Sequence, residues 1–177
     1  MKQEKANGTA NMLLASSQEE AKVQKNLMSC TMRKTIPNNA LFSLAKEQLL
    51  QGYNVEIYTK GNSMRPFIEG GRDKVVLAPF KRLDIGDAVL AEIRTGKFVL
   101  HRIIDLLPGY AVLQGDGNLK GEEICSKKKI YGVLVEYIRP NKMLHANDYC
   151  LRKKIRIWYH LRPVRRILLW IYKHYSL

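Results

Sequence analysis

Long hydrophobic runs are missing from this sequence. The longest, residues 167–172, has six residues, far fewer than the ~20 that a membrane-spanning helix needs. The first twenty residues contain only a three-residue apolar core, at positions 12–14, whereas a secretory signal needs about 7 to 15 apolar residues. We therefore expect neither a signal peptide nor a spanning helix, and a location in the cytoplasm or on the cytoplasmic face of the membrane.

Cysteines are few and far apart. Cys30, Cys125 and Cys150 are odd in number and show no C-x-x-C spacing, so they indicate neither a disulfide framework nor a zinc site. We interpret them as reduced packing residues. The sequence predicts no metal site and no bound cofactor.

Acidic residues are absent after Asp148, although eight basic residues follow it. Much of the formal net charge of +14 therefore belongs to the C-terminal end. An anionic partner is expected to meet the chain there.

The pattern of apolar residues divides the chain into three parts. Residues 1–36 are polar and aperiodic, and we interpret them as a mobile leader. A short helix is predicted to begin at Pro37-Asn38-Asn39 and to end at Gly52. Residues 141–177 are interpreted as a basic, amphipathic helical tail, in which Pro163 divides two helices or opens the second.

Between Asn54 and Arg139 the apolar period changes to two, which is typical of strands. Six strand-like segments are separated by Gly, Asp and Pro turns: NVEIYTK, DKVVLAPF, DAVLAEIR, KFVLHRII, YAVLQGDG and KIYGVLVEYI. Residues 37–140 are therefore predicted to form a mainly β domain, a small coiled antiparallel sheet preceded by the short helix.

Three polar residues in this β region are candidates for chemistry. Ser63 stands before a strand with Gly61 two residues ahead, His101 interrupts an apolar strand, and Asp116 lies between two glycines. A serine nucleophile needs a base to take its proton and donors for the oxyanion. Taken one at a time, the three are better explained as a turn serine, a core histidine and a hairpin aspartate.

Four ordered motifs resemble those of the signal peptidase and LexA-like serine peptidase superfamily. They are Gly61-Asn62-Ser63-Met64-Arg65-Pro66, Gly86-Asp87-Ala88-Val89, Val99-Leu100-His101-Arg102 and Gly115-Asp116-Gly117-Asn118. The resemblance covers about residues 58–135. It implies that this domain has the coiled β-sheet peptidase fold.

The resemblance also implies roles for individual residues. Ser63 takes the place of the nucleophile and His101 that of the base, as in the endoplasmic-reticulum and archaeal branch of the superfamily. Met64 takes the place of a residue that shapes the substrate cleft, with Gly61 and Asn62 beside it. Arg102 is expected to be structural.

The chain departs from the family pattern in three places. Gly70-Gly71-Arg72-Asp73 is longer than the usual G-D, so the position of Asp73 is less certain from the pattern. Gly61 stands where signal peptidases often carry a serine, which leaves the oxyanion to backbone N–H groups, chiefly that of Ser63. Glu122-Glu123 replaces a D-D pair. We favour Asp116 as the acid behind His101, with Glu122 as its competitor.

The leading hypothesis is a serine endopeptidase that cleaves a leader-like or signal-like peptide through Ser63, His101 and an acyl-enzyme. One alternative is an inactive peptide-binding module at a membrane surface. A less favoured one is a LexA-like regulator that cleaves itself, but the chain has no Ala-Gly dipeptide and its excess charge lies at the opposite end from a DNA-binding leader. No nucleic-acid partner is expected.

The basic tail has two interpretations. Its apolar stripe and arginines suit the interface of an anionic membrane. They equally suit an amphipathic helix that packs on the β domain and leaves its charges in water.

Overall fold

The computed structural model describes residues 38–175, so the predicted leader, residues 1–36, lies outside the described part of the chain. Within these residues the α-helices are α1 (Asn38–Leu50), α2 (Tyr149–His160) and α3 (Arg165–Tyr175). The strands are β1 (Val55–Tyr58), β2 (Lys74–Ala78), β3 (Ala88–Arg94), β4 (Lys97–Leu107), β5 (Tyr110–Gln114), β6 (Glu123–Ser126), β7 (Ile130–Arg139) and β8 (Lys142–His145). Two 3-10 turns cover Lys127–Lys129 and Arg162–Val164.

The strands form one antiparallel sheet that does not close into a barrel. Its order is β1-β2-β7-β3-β4-β5-β6, and β8 pairs with β7. The ten residues of β7 pair with β3 at one end and with β2 at the other, so this strand joins the two halves of the sheet. The prediction of a mainly β fold with a helix before it and helices after it is confirmed.

The sheet has two strands more than the six predicted from the sequence. β6 begins at the last residue of the predicted turn GNLKGEE and has only four residues, too few for an alternating pattern to stand out. β8 forms a hairpin with β7 through Pro140 and Asn141, inside the segment that we assigned to the helical tail. The tail therefore becomes helical only at Tyr149, where Asp148 caps α2 by accepting the Leu151 N–H.

The central strands are buried on both faces of the sheet. Leu90 of β3 packs into one apolar cluster, whereas its neighbours Val89 and Ala91 pack into a second. This division follows from the alternation of side chains along a strand. Helix α1 covers the first cluster with Ala45 and Leu49.

A polar clamp fixes α1 to the sheet. The carboxylate of Glu92, on β3, accepts hydrogen bonds from the Gly96 N–H, the Tyr131 hydroxyl and the Lys46 ammonium at 2.9, 2.8 and 3.2 Å. These bonds, first that from the Gly96 N–H, lower the pKa of Glu92 to about 2. The ionised form of Glu92 is therefore the form that stabilises this corner of the fold.

Stability at low pH is expected to depend on Glu92. Its pKa is lower in the folded chain than the ~4.3 of an unfolded chain, so its contribution is present above about pH 4.5 and is lost as the pH falls towards about 2. We expect Glu92→Gln to lose less unfolding free energy than the wild type over this range, as measured by urea denaturation. Glu47→Gln, which removes an exposed carboxylate from the same helix, should keep the wild-type pH dependence, and identical profiles for all three proteins would contradict this assignment.

The two tail helices differ in how they meet the domain. Helix α2 buries Leu151 and Ile155 against the first apolar cluster, with Trp158 beside them. Helix α3 leaves Ile167, Trp170 and Ile171 exposed, by 61, 58 and 41%. Of the two interpretations of the tail, packing on the β domain therefore applies to α2 but not to the apolar side of α3.

Candidate functional site

Ser63 lies in the long loop between β1 and β2. Thr59 closes the base of this loop, since its N–H and hydroxyl both donate to the Asp73 carbonyl, at 3.1 and 2.6 Å. Gly61 has a φ of +86°, so the glycine before the serine is needed for its backbone conformation, as the sequence suggested. Ile68 N–H donates to the Met64 carbonyl at 2.9 Å, which gives the segment after Ser63 a tight, helix-like turn.

The carboxylate of Asp73 holds the far side of the same loop. Asp73 is fully buried, accepts the Glu69 N–H at 2.9 Å and forms an ion pair with Arg72 at 2.6 Å. Burial alone would raise the pKa of Asp73, but the bonds from Arg72 and from the Glu69 N–H outweigh it and the pKa is lowered. The longer turn before Asp73 thus still places an ionised aspartate under the serine loop.

The turn Gly115–Asn118 packs directly against the serine. Gly117 N–H donates to the Ser63 carbonyl at 2.8 Å. A Cβ at Gly117 would lie 2.7 Å from the Asn62 carbonyl oxygen, closer than real Cβ contacts allow. Glycine is therefore required there so that the turn can approach the serine loop and hold its main chain.

His101 is held by a carboxylate on β6. The imidazole lies in the middle of β4, is only 6% exposed, and its Nδ1 lies 2.8 Å from Oε2 of Glu123. A carboxylate only accepts hydrogen bonds, so Nδ1 is the protonated nitrogen and Nε2 keeps a free lone pair in the neutral ring. That tautomer has a nitrogen ready to take a proton.

This contact corrects our expectation for the acid beside His101. Asp116 binds Arg102 instead, and Glu122 forms an ion pair with Arg162 at 2.6 Å. The physical reason is the register of β6, because Glu123 is its first residue and pairs with Leu113 of β5, while Glu122 lies before the strand. The sequence contained a signal for this choice in the pair Glu122-Glu123, but the register of an unrecognised strand was needed to decide it.

Ser63 and His101 line the same cavity. It has a volume of about 170 Å³, and its walls carry mainly apolar side chains, among them those of Met64 and Leu100. Met64 is 4% exposed, so its side chain forms part of the wall. Among the hydrogen bonds of residues 38–175, none joins the Ser63 hydroxyl to His101, a contact that in many enzymes tightens only when substrate binds.

Arg102 and Asp116 form a buried ion pair behind the cavity. Arg102 Nε and Nη2 donate to the two carboxylate oxygens at 2.8 and 2.6 Å, and Nη1 donates to the Gly86 carbonyl at 2.7 Å. Burial alone would lower the pKa of Arg102, but the Asp116 carboxylate outweighs it and the pKa is raised. Trp158 of α2 donates to the Asp116 carbonyl at 2.8 Å, so the tail also supports this turn. Arg102 is structural, as expected.

Comparisons with protein-family models, with curated proteins and with solved structures found no match. The resemblance read from the four motifs therefore stays a prediction. Within residues 38–175, no group of three or more His, Cys, Asp or Glu side chains is arranged to hold a metal ion. In the same part of the chain, no helix combines the length and the apolar character needed to cross a membrane.

Removal of the Asp116 charge is expected to destabilise the fold. Asp116→Asn keeps the shape of the side chain but leaves the buried Arg102 guanidinium without its counter-charge. Breaking a buried pair in this way typically removes about 3–5 kcal/mol of unfolding free energy, which denaturant titration measures. Asp84→Asn breaks an ion pair with the exposed Arg82 and should change little. Equal effects of the two variants would contradict the structural role of the buried pair.

Proposed function

We propose that this protein is a serine endopeptidase that resembles the histidine branch of the signal peptidases and hydrolyses a peptide bond in a leader-like or signal-like peptide. One observation carries the proposal. The Glu123 carboxylate orients the His101 ring, with Oε2 2.8 Å from Nδ1, and the ring lines the same cavity as Ser63. A serine, an imidazole and a carboxylate in that order form the arrangement that activates a serine hydroxyl.

The proposed reaction begins when His101 Nε2 takes the Ser63 proton. Ser63 Oγ then forms a bond to the carbonyl carbon of the substrate, and Glu123 stabilises the imidazolium through Nδ1–H. The negative charge that develops on the carbonyl oxygen needs N–H donors, and we assign the Ser63 N–H to this role. In the residues described, this N–H makes no main-chain hydrogen bond.

The imidazolium next gives its proton to the leaving amine, so the C–N bond breaks and an acyl group remains on Ser63. Water attacks this ester as His101 takes one of its protons. The Ser63–acyl bond breaks, and the proton returns from His101 to Ser63. No cofactor enters this scheme.

The dimensions of the cavity favour small side chains in the substrate. Its 170 Å³ is well below the roughly 300–1,000 Å³ of sites that take a whole small-molecule ligand. The apolar walls beside Ser63, which include Ile68 and Leu100, favour an uncharged residue next to the cleaved bond.

Ser63→Ala and His101→Ala are each expected to abolish cleavage while the fold survives, because each removes one of the two groups that form the acyl-enzyme. Mass-spectrometric profiling of a synthetic peptide library measures cleavage, and a fluorophosphonate probe reports reaction at Ser63. The matched control is His145→Ala, because His145 also lies beside a glutamate, Glu136, at 3.4 Å, but is exposed and distant in sequence from the cavity.

Three outcomes separate the hypotheses. Cleavage of the same peptides by the purified Ser63→Ala protein would contradict the proposal. Peptide binding without cleavage and without probe labelling would favour the inactive peptide-binding module. Cleavage of the chain itself, with salt-sensitive binding to DNA, would favour the LexA-like regulator.

The carboxylate beside His101 offers a sharper test. Glu123→Gln keeps the size of the side chain but no longer selects the tautomer with a proton on Nδ1, so we expect kcat to fall about 10²- to 10⁴-fold. The adjacent Glu122→Gln removes the same charge from the same chain segment but touches Arg162 instead, and it should retain most activity. A larger loss for Glu122→Gln than for Glu123→Gln would overturn the assignment.

A further inference from the structure

We propose that α3 binds the surface of an anionic lipid bilayer with its exposed apolar side. That side, called here the apolar face of α3, consists of Ile167, Trp170 and Ile171, with Val164 directly before the helix. Their exposed fractions are 61, 58, 41 and 41%. Neighbouring exposed side chains of this kind at helical spacing are unusual on a protein surface that meets only water.

The orientation of α3 is fixed by its opposite side. Arg165 is buried, and the Tyr172 hydroxyl donates to Oε2 of Glu69 at 3.0 Å. Arg165 and Tyr172 are seven residues apart and therefore lie on one side of the helix. Since that side faces the domain, the apolar face points away from it.

The tail that carries the apolar face is positively charged, and most of its basic residues form no ion pair within the described part of the chain. Arg152 and Arg162 of the tail form ion pairs with Asp87 and Glu122. Five other basic residues of the tail are exposed and join no ion pair within residues 38–175: Lys153, Lys154, Arg156, Arg166 and Lys173. Two of these, Arg166 and Lys173, lie on α3 itself.

The exposed apolar face and the unpaired basic residues together favour a lipid bilayer as the binding partner. Nucleic-acid phosphates would pair with the cations but would leave Ile167 and Ile171 in water. An anionic membrane satisfies both, since lipid headgroups pair with Arg and Lys while aliphatic and Trp side chains enter the interface. Each basic residue near such a surface strengthens binding about fivefold.

Membrane binding would place α3 between the lipid and the loop that carries Ser63. Glu69, which accepts the Tyr172 hydroxyl, belongs to the β1–β2 loop that carries Ser63 and is also ion-paired with Arg65 of that loop. The tail is thus joined to the candidate site by side-chain contacts and does not hang free from it. This inference does not depend on whether Ser63 is a nucleophile.

Co-sedimentation of the full chain with lipid vesicles tests the proposal. We expect binding to vesicles that contain about a third phosphatidylglycerol, little binding to pure phosphatidylcholine, and weaker binding as salt rises. Arg166→Gln with Lys173→Gln should weaken binding about 25-fold. Lys128→Gln with Lys129→Gln removes the same charge from two exposed residues elsewhere and should have a much smaller effect.

The apolar face is tested separately. Ile167→Ser with Ile171→Ser should reduce binding to anionic vesicles, whereas Ile124→Ser, at a side chain 65% exposed on β6, should not. Trp158 and Trp170 are the two tryptophans of the chain. Quenching of fluorescence by brominated lipid should therefore be strong in the wild type and largely lost in Trp170→Phe.

Three results would overturn the inference. They are the absence of binding to anionic vesicles, equal binding to neutral vesicles, and equal losses in the α3 variants and their controls. Tight, salt-sensitive binding to duplex DNA without vesicle binding would assign the basic tail to nucleic acid instead.

Discussion

The buried ion pair between Arg102 and Asp116 is the contact on which the candidate site depends. Arg102 follows His101 on β4, and Asp116 precedes Gly117, whose N–H holds the Ser63 carbonyl. The pair therefore links the strand of the proposed base to the loop of the proposed nucleophile. A charge this deep is tolerated because both carboxylate oxygens and all three guanidinium nitrogens are bound to their neighbours.

The alternation of side chains along β4 places the structural arginine and the proposed catalytic histidine on opposite faces of the strand. His101 and Arg102 are consecutive and point to opposite faces of the strand. One face presents the imidazole to the cavity, and the other places the guanidinium against Asp116 and over the ring of Phe67. Of these two adjacent residues, His101 lines the cavity and Arg102 binds Asp116 on the other face of the strand. An arginine directly after the histidine therefore suits this position.

Sequence reasoning reached the sheet and the helices at both ends, because alternation, turns and glycines act over a few neighbours. It also named Ser63 and His101, which line one cavity, and their roles stay a prediction. It missed β6 and β8, whose four residues carry too little pattern. It also paired His101 with the wrong carboxylate. The choice among Asp116, Glu122 and Glu123 is a matter of register between strands that are distant in sequence, and no local pattern contains that register. The Glu123 contact depends on the pairing of β6 with β5.

The position of β6 in the sheet makes one part of the candidate site less stable than the rest. Among the strands of residues 38–175, β6 lies at an edge and is hydrogen-bonded to β5 alone, whereas β4 lies between β3 and β5. Edge strands open at lower free energy than central ones. Fraying of β6 separates the Glu123 carboxylate from His101 while the central strands, and the serine loop held on them, keep their places. The least permanent part of the proposed triad is therefore the acid, and a ligand bound to β6 would lengthen the time for which the Glu123 carboxylate stays beside the imidazole.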